Sequence, residues 1–209
     1  MARRQYLSPV RNAAAEEKRQ RVLAAASAAL AEGDISQFSL DAVARRAKVT
    51  RLTLYNQFGS RRGLLEAVFD ERARLGGLGR IVTAMAMPDT REAIDRIIAI
   101  FCDFWDSDPS LGKLHAATSL DAEFGRALAF RNERRRKLFT VLVERMAGNV
   151  SAARCNDVVD LMFVLTSQPT YASLRKRRSK RAVRDLIGEA CSAALGLAAT
   201  PAVVRHRTG

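Results

Sequence analysis

Several residue types are scarce in this chain of 209 residues. Aromatic residues make up only 6% of it although 48% is hydrophobic, so a core must rest mainly on Ala, Leu, Val and Ile, which helices tolerate well. No alternating strand pattern and no internal repeat occurs. The sequence therefore predicts an all-α protein.

Histidine, a frequent side chain in catalysis and metal binding, is nearly absent. The two histidines are His115 and His206, and no HxxxH or CxxC spacing, P-loop or GxSxG motif is present. No pair of carboxylates is singled out by its context. An enzyme therefore finds little support, and we expect no catalytic residues, no metal and no cofactor.

Cysteines are few, and long apolar runs are missing. The three cysteines are widely spaced, odd in number and set among apolar residues, which favours reduced core thiols over a disulfide framework, with a redox sensor as the alternative. No segment has the apolar region of a secretion signal or the roughly 18 apolar residues of a membrane span. We expect the protein to stay in the cytoplasm.

Acidic residues are outnumbered, 22 against 35 lysines and arginines, which gives a formal charge of +13. Such a charge indicates a polyanionic partner, because Lys and Arg that neutralise phosphates supply most non-specific affinity for nucleic acid. Genome-wide base bias toward Arg and Ala codons is an alternative source of the same composition. The positions of the charged residues along the chain therefore have to distinguish a nucleic-acid partner from base bias.

Side chains that cap helices, together with glycines that end them, divide the chain into helices. The first helix begins at Ser8-Pro9 and ends at Gly33. Further predicted N-caps are Ser39, Thr50, Ser60, Asp89, Ser151 and Ser179. The helices predicted after the first cover residues 40–47, 51–58, 61–75, about 90–105, a short one after Asp108-Pro109, 121–147, and those that follow Ser151 and Ser179, the last ending at Gly196.

One stretch has the composition of a domain boundary. Leu75-Gly-Gly-Leu-Gly79 places three glycines in four positions, which forfeits helix stability and permits a bend. The predicted domains therefore cover residues 1–75 and 76–209, with a basic arm at the start and a loose tail from Thr200.

Residues 39–58 have the pattern of a helix-turn-helix, in which one short helix braces a second that lies in the major groove, about 12 Å wide. Small and apolar residues stand where inward packing is required, at Val43, Ala44, Ala47, Val49 and Leu54. The positions left exposed carry Arg45, Arg46, Lys48, Arg51, Leu52, Tyr55 and Asn56. A packing element of three helices with no DNA partner is the alternative.

These exposed groups suit DNA. Arg51 can bond guanine O6 and N7 bidentately, and Leu52 can contact a thymine methyl. The Tyr55 hydroxyl and the Asn56 amide can bond phosphate oxygens, and Ser60 with Arg61 places a helix N-terminus and a cation where a phosphate can dock.

The stretch from Phe38 to Phe69 resembles the signature of the TetR/AcrR family of transcriptional regulators. The segment Ser39-Leu-Asp-Ala-Val-Ala-Arg-Arg-Ala-Lys-Val-Thr50 is similar to that family's first helix and turn. Thr53-Leu-Tyr-Asn-Gln-Phe58 resembles its recognition helix, and Ser60-Arg61 with Leu64-Leu65 resembles the helix that follows.

The resemblance assigns roles to individual positions. It implies base reading by Arg51 and Leu52. It implies phosphate contacts by Thr50, Tyr55, Gln57 and Arg61. Departures from the family pattern are Lys48 in place of a turn glycine, Gln57 in place of histidine, Arg61 in place of lysine, and Gly63 in place of a larger residue. If Lys48 has a positive φ, its side chain costs on the order of 1 kcal/mol. An arm with Arg3, Arg4 and Arg11 adds further DNA contacts or is simply solvated.

Beyond residue 75 the resemblance implies a helical domain that binds a small-molecule effector and dimerises. The segments 155–171 and 183–197 are predicted to form the dimer interface, because the first is apolar on more than one face; a centrally buried helix explains the same pattern. An effector pocket would be lined by Phe101, Phe104, Trp105, His115, Phe124, Met162 and Phe163, which are otherwise ordinary core. Two basic runs, 134–137 and 175–181, are interpreted as solvated surface, with a site for an anionic effector as the alternative.

The sequence thus predicts a homodimeric regulator that reads a palindromic DNA operator and, by the family resemblance, represses transcription until a small molecule releases it. A single helix-turn-helix makes few base contacts, whereas a two-fold dimer reads two half-sites about one helical turn apart. The alternative is a protein that coats nucleic acid without sequence preference through its charge.

Overall fold

The computed structural model describes residues 9–33, 35–146 and 151–199. Within these ranges the chain forms α-helices and short 3-10 turns and no β-strand, so the predicted all-α class is confirmed. The helices are α1 (Pro9–Glu32), α2 (Leu40–Ala47), α3 (Arg51–Phe58), α4 (Arg61–Leu75), α5 (Ile81–Met85), α6 (Thr90–Asp106), α7 (Ser110–Ala117), α8 (Ala122–Met146), α9 (Ala152–Leu165), α10 (Gln168–Arg175) and α11 (Lys180–Ala199).

Six helix starts follow from local capping chemistry. At each predicted cap the side-chain oxygen accepts a hydrogen bond from the backbone N–H three residues later, which satisfies one of the donors left open in a first helical turn. The caps are Ser39, Thr50, Ser60, Asp89, Ser151 and Ser179. The predicted arm up to Ser8, the side chain of Arg11, the helix stop at Gly148 and the tail from Thr200 lie outside the described residues.

The structure differs from the prediction in three elements. The segment 155–171 is two helices, because α9 ends at Leu165 and Ser167 caps α10 by accepting a hydrogen bond from the Thr170 N–H. The short helix α5 was not predicted. The last helix runs past Gly196 to Ala199.

The described chain divides into two compact units. The first consists of the residues up to Arg72 together with Pro109–Leu128, so it takes in α7 and the start of α8 in addition to the contiguous stretch expected from the sequence. Helix α1 packs against α2 and α7, and a buried hydrogen bond of 3.0 Å joins the hydroxyls of Ser27 on α1 and Ser110 on α7. Its buried core includes Val22, Leu23, Leu30, Val43, Leu54, Leu64, Leu65, Leu111, Leu114 and Phe124.

The second unit consists of Ala73–Asp108 and the residues from Ala129 onward. Helices α6, α9 and α11 pack together in it, and α6 buries most of its predicted apolar face. The three cysteines are free thiols inside its core, at Cys102, Cys155 and Cys191. No helix in the described ranges is long and apolar enough to cross a membrane.

Candidate DNA-binding surface

Helices α2 and α3 form the predicted helix-turn-helix in the first unit. Their bounds match the prediction, and four of the five framework side chains are buried while Val49 is half-buried. The buried residues are Val43, Ala44, Ala47 and Leu54. The guanidinium of Arg19 on α1 lies 4.9 Å from the ring centroid of Phe58, so α1 also holds the end of α3.

The turn between α2 and α3 places Lys48 at a positive φ, the conformation for which the sequence analysis expected a cost. Lys48 has φ 53° and ψ 49°, in the left-handed region, and is the only non-glycine residue with a positive φ among the described residues. The Val49 N–H donates to the Ala44 carbonyl over 3.0 Å, which closes the end of α2. A side chain at this position costs about 1 kcal/mol relative to glycine.

One face of α3 is exposed, as a reading helix requires. Leu52 is 67% exposed and Tyr55 is 61% exposed, although both are large and partly or wholly apolar. The other predicted contact residues at the surface are Arg45, Lys48, Thr50, Arg51 and Asn56. Gln57 is half-buried, and its Oε1 has no hydrogen-bond partner among the described residues.

Two arginines of this surface form ion pairs with helices nearby. Arg51 Nη1 lies 3.2 Å from Asp41 Oδ2 on α2, and both side chains are exposed. Such a pair contributes little to stability, so guanine can replace the carboxylate as the partner of Arg51. Arg46 instead donates two hydrogen bonds to Glu32 and thereby holds the pKa of that carboxyl below its usual value.

Arg61 is engaged inside the unit. Its Nε donates to the Phe38 carbonyl over 3.0 Å, its Nη2 to the Ile35 carbonyl over 3.3 Å, and its Nη1 to Asp121 Oδ2 over 3.3 Å. Asp121 also accepts from the Phe124 N–H and so caps α8. The guanidinium predicted to contact phosphate is therefore shared among three acceptors of the protein.

The residues predicted to line an effector pocket are divided between the two units. His115 and Phe124 belong to the first unit, whereas the other five belong to the second. Buried members are Phe101, Phe104, Phe124 and Met162, and half-buried members are Trp105, His115 and Phe163.

Within the second unit, the Trp105 Nε1–H donates to the Thr166 carbonyl over 2.9 Å. The ring centroids of Phe104 and Trp105 are 4.6 Å apart.

The two basic runs differ in exposure: the second is solvated surface, as the sequence favoured, with 176–178 and 180–181 exposed, whereas the first contains a buried arginine. In the second run, Arg175 pairs with Asp106 and Lys180 pairs with Asp103. In the first run, Arg135 is buried. Its position was detectable in the sequence, because Leu128, Arg135 and Leu142 are seven residues apart and therefore share one face of α8.

Among the described residues no group of three or more His, Cys, Asp and Glu side chains is placed to hold a metal ion. The functional surface in the first unit is an exposed reading helix, capped at Thr50 and braced by a packed partner helix. Fold and surface together define a DNA-binding protein of the helix-turn-helix class.

Residues 22–68 match the model of the bacterial regulatory proteins of the tetR family. The helix-turn-helix region therefore belongs to the TetR family, and the predicted resemblance is confirmed. Among curated proteins, no sequence matches the chain.

Solved structures of TetR regulators share the fold over most of the chain. A TetR-family regulator from Streptomyces coelicolor has a TM-score of 0.70 at 19% identity, over 94% of this chain and 98% of the other. A TetR-like regulator from Rhodococcus sp. RHA1 has a TM-score of 0.62 at 21% identity, over 86% and 96%. The TetR-like regulator LfrR from Mycobacterium smegmatis, in complex with proflavine, has a TM-score of 0.57 at 20% identity, over 87% and 97%. The chain therefore has the fold of TetR-family transcriptional regulators.

Proposed function

We propose that this chain is a homodimeric transcriptional repressor that binds a palindromic DNA operator and is released from it by a small molecule. The observation that carries the proposal is the exposed face of α3, where Leu52 and Tyr55 stand beside Arg51 on a helix whose opposite side is packed. An exposed leucine and tyrosine contribute nothing to the core, whereas both are suited to contact DNA.

The side chains on this surface divide into two roles. Arg51 and Leu52 read base edges, because they occupy the first turn of α3 and carry a bidentate donor and an apolar group. Contacts to phosphates position the helix without carrying sequence information. The residues proposed for them are Arg45, Lys48, Thr50, Tyr55, Asn56 and Gln57, with Arg61 contributing where its internal bonds leave a donor available.

The dimer is proposed to form through α9 and α11. On α9, Leu161 is 44% exposed and Val164 is 58% exposed, and residues three apart lie on the same face of a helix. The opposite face of α9 supplies Val158, Val159 and Met162 to the core of the second unit. A helix that is apolar on both sides needs two partners, and a second copy of the chain supplies the outer one.

The release step rests on the helical second unit. The related fold of LfrR holds proflavine, so this architecture accommodates a small organic molecule. In our proposal the effector occupies the apolar interior of the second unit, and the regulator acts in the cytoplasm, where bacterial DNA is found.

Selection of duplexes from a random pool tests the proposal. Purified full-length chain at about 150 mM salt is expected to enrich a palindrome with half-sites about one helical turn apart. Arg51→Ala is the matched variant, and its enriched motif is expected to lose definition at one or two base pairs per half-site because the bidentate donor is gone.

The alternative function, a charge-driven coat on nucleic acid, gives a different result. In that case no sequence is enriched, and affinity falls steeply with salt to the same extent on every duplex. The charge of +13 is the observation that keeps this alternative in view. A selected pool indistinguishable from the starting pool would overturn the repressor proposal.

A further inference from the structure

An arginine is buried in the second unit where the sequence predicted solvated surface. Arg135 on α8 is only 5% exposed, and it is the only buried lysine or arginine among the described residues. Its neighbours on the chain, Arg134 and Arg136, are less buried. Arginine is almost never fully buried unless it is paired, so the groups around this side chain indicate what it binds.

The surroundings of Arg135 are mainly aromatic. The guanidinium carbon lies 4.5 Å from the ring centroid of Phe163 and 5.7 Å from that of Phe101. Nη1 donates to the Thr166 carbonyl over 2.9 Å, and Trp105 Nε1 donates to the same oxygen. Phe101, Trp105 and Phe163 are three of the residues that the sequence predicted to line an effector pocket.

The positive charge of Arg135 has no carboxylate in direct contact, although Glu133 favours its charged form from a distance. No carboxylate of the described chain lies within ion-pair distance of the guanidinium, and the Nε–H is buried without an acceptor. The next residue, Arg136, does have acidic partners, because it pairs with Asp160 and Glu133. Burial accordingly lowers the pKa of Arg135 to about 10.

This arrangement is costly for the protein alone. A charge taken from water into an apolar interior is tolerated when an opposite charge and hydrogen bonds replace its hydration. The Thr166 carbonyl and two aromatic faces supply part of that replacement. A buried N–H donor and a positive charge that no carboxylate contacts remain.

We infer that Arg135 binds the carboxylate of a small organic acid, whose apolar body contacts Phe101, Trp105 and Phe163. The inference rests on the proposed function, since this acid would be the effector of the regulator. A guanidinium matches a carboxylate with two parallel hydrogen bonds. One positive charge balances one carboxylate, whereas a phosphate dianion would leave a net negative charge in an apolar site.

The first experiment compares an acid with its neutral isostere. Octanoate and octanamide have the same apolar chain and differ in the head group, so a charge-selective site separates them. At millimolar concentration octanoate is expected to raise the Tm of the full-length protein by at least about 2 °C, and octanamide by much less. An equal shift with both compounds, or no shift with octanoate, would overturn the inference.

Variants on α8 assign the effect to Arg135. Arg135→Met removes the charge but keeps a long side chain, and replacing a buried unpaired charge by an apolar group is expected to preserve or raise the Tm. The octanoate shift should disappear in this variant. Arg134→Met, one residue away on the exposed side of the same helix, should keep it. A shift that survives Arg135→Met, or that is lost equally in both variants, contradicts the assignment.

A second substitution keeps the test decisive if Arg135→Met fails to fold. Arg135→Lys retains the charge but loses the planar fork, so octanoate should bind about tenfold more weakly than to the wild type. Affinity equal to that of the wild type would count against the site. Fluorescence anisotropy measures whether octanoate releases the protein from its operator, and two outcomes separate the proposals. Failure to select any operator removes the repressor function alone. Failure to bind octanoate removes this inference alone.

Discussion

Lys48 holds a strained backbone conformation at the edge of the DNA-binding surface. Its φ of 53° is one that glycine adopts freely and a side chain with a Cβ adopts at a cost. The ammonium group is exposed close in sequence to Thr50 and Arg51, where a cation favours phosphate binding. We infer that Lys48 lowers the stability of the fold and, through its positive charge, raises the affinity for DNA.

Substitution of Lys48 by glycine is expected to raise stability and to lower DNA affinity. Lys48→Gly should raise the free energy of unfolding by about 1 kcal/mol, because the strain is relieved, while DNA affinity falls at every sequence through loss of the charge. Urea denaturation and fluorescence anisotropy measure the two effects. Lys48→Ala is the control, since it loses the charge and keeps the strain. Equal stability of the glycine and alanine variants would show that the turn is not strained.

At the scale of elements, the first turn of α4 connects several segments of the first unit. Arg61 hydrogen-bonds the Phe38 and Ile35 carbonyls of the α1–α2 connection and pairs with Asp121 at the start of α8. Its neighbour Arg62 pairs with Glu123 in the first turn of α8. The beginning of α8 is thus attached to the DNA-binding helices by two adjacent arginines of different burial.

The two arginines provide a matched pair of variants. Arg61→Ala is expected to lower the free energy of unfolding by about 1–2 kcal/mol, because partly buried carbonyls lose a charged donor. Arg62→Ala should change it by no more than about 0.5 kcal/mol, since its ion pairs are exposed. Urea denaturation of both variants measures the difference. If Arg61→Ala is as stable as Arg62→Ala yet weakens binding to every duplex, Arg61 acts on DNA phosphate and not on the fold.

Helix starts were predictable because the capping signal is local. Ser39, Thr50 and Asp89 each need only a backbone N–H three residues away, and that distance is fixed by helix geometry. The break after Leu165 was missed although its signals are local as well: Ser167 caps α10, and a proline stands in the first turn of that helix.

Properties that depend on several helices were not predictable in the same way. The spacing along α8 places Arg135 on the core face, but its partners are rings from α6 and α9 and the carbonyl at the end of α9, which the sequence of α8 alone does not reveal. Arg61 was assigned to phosphate because its sequence position suits DNA, while its acceptors lie more than 20 residues away along the chain. For the reading helix, exposure of Leu52 and Tyr55 followed from the helical period.

At the scale of the whole molecule, the proposed function requires two copies of the reading helix on one operator. Leu161→Glu combined with Val164→Glu places charges on the exposed apolar face of α9 and is expected to yield a monomer, because an apolar interface excludes unpaired carboxylates. Sedimentation velocity measures the mass. Affinity for the selected palindrome should fall at least about tenfold, since one half-site is read instead of two.

The control for this variant is Val82→Glu, which places a charge on an exposed valine of α5. It should leave both mass and palindrome affinity unchanged. A dimer that persists in the α9 variant would place the interface elsewhere on the chain.

The buried thiols provide a probe for the unfolding of the second unit. Cys102, Cys155 and Cys191 all lie in the second unit, and the residues of the first contain no cysteine. Burial raises the pKa of Cys102 and Cys191 to about 12, so in the folded protein these two are hidden and protonated. A pulse of alkylating reagent during denaturation therefore records when the second unit opens, whereas circular dichroism follows the helices of both. An interval between the two signals would show that one unit unfolds before the other.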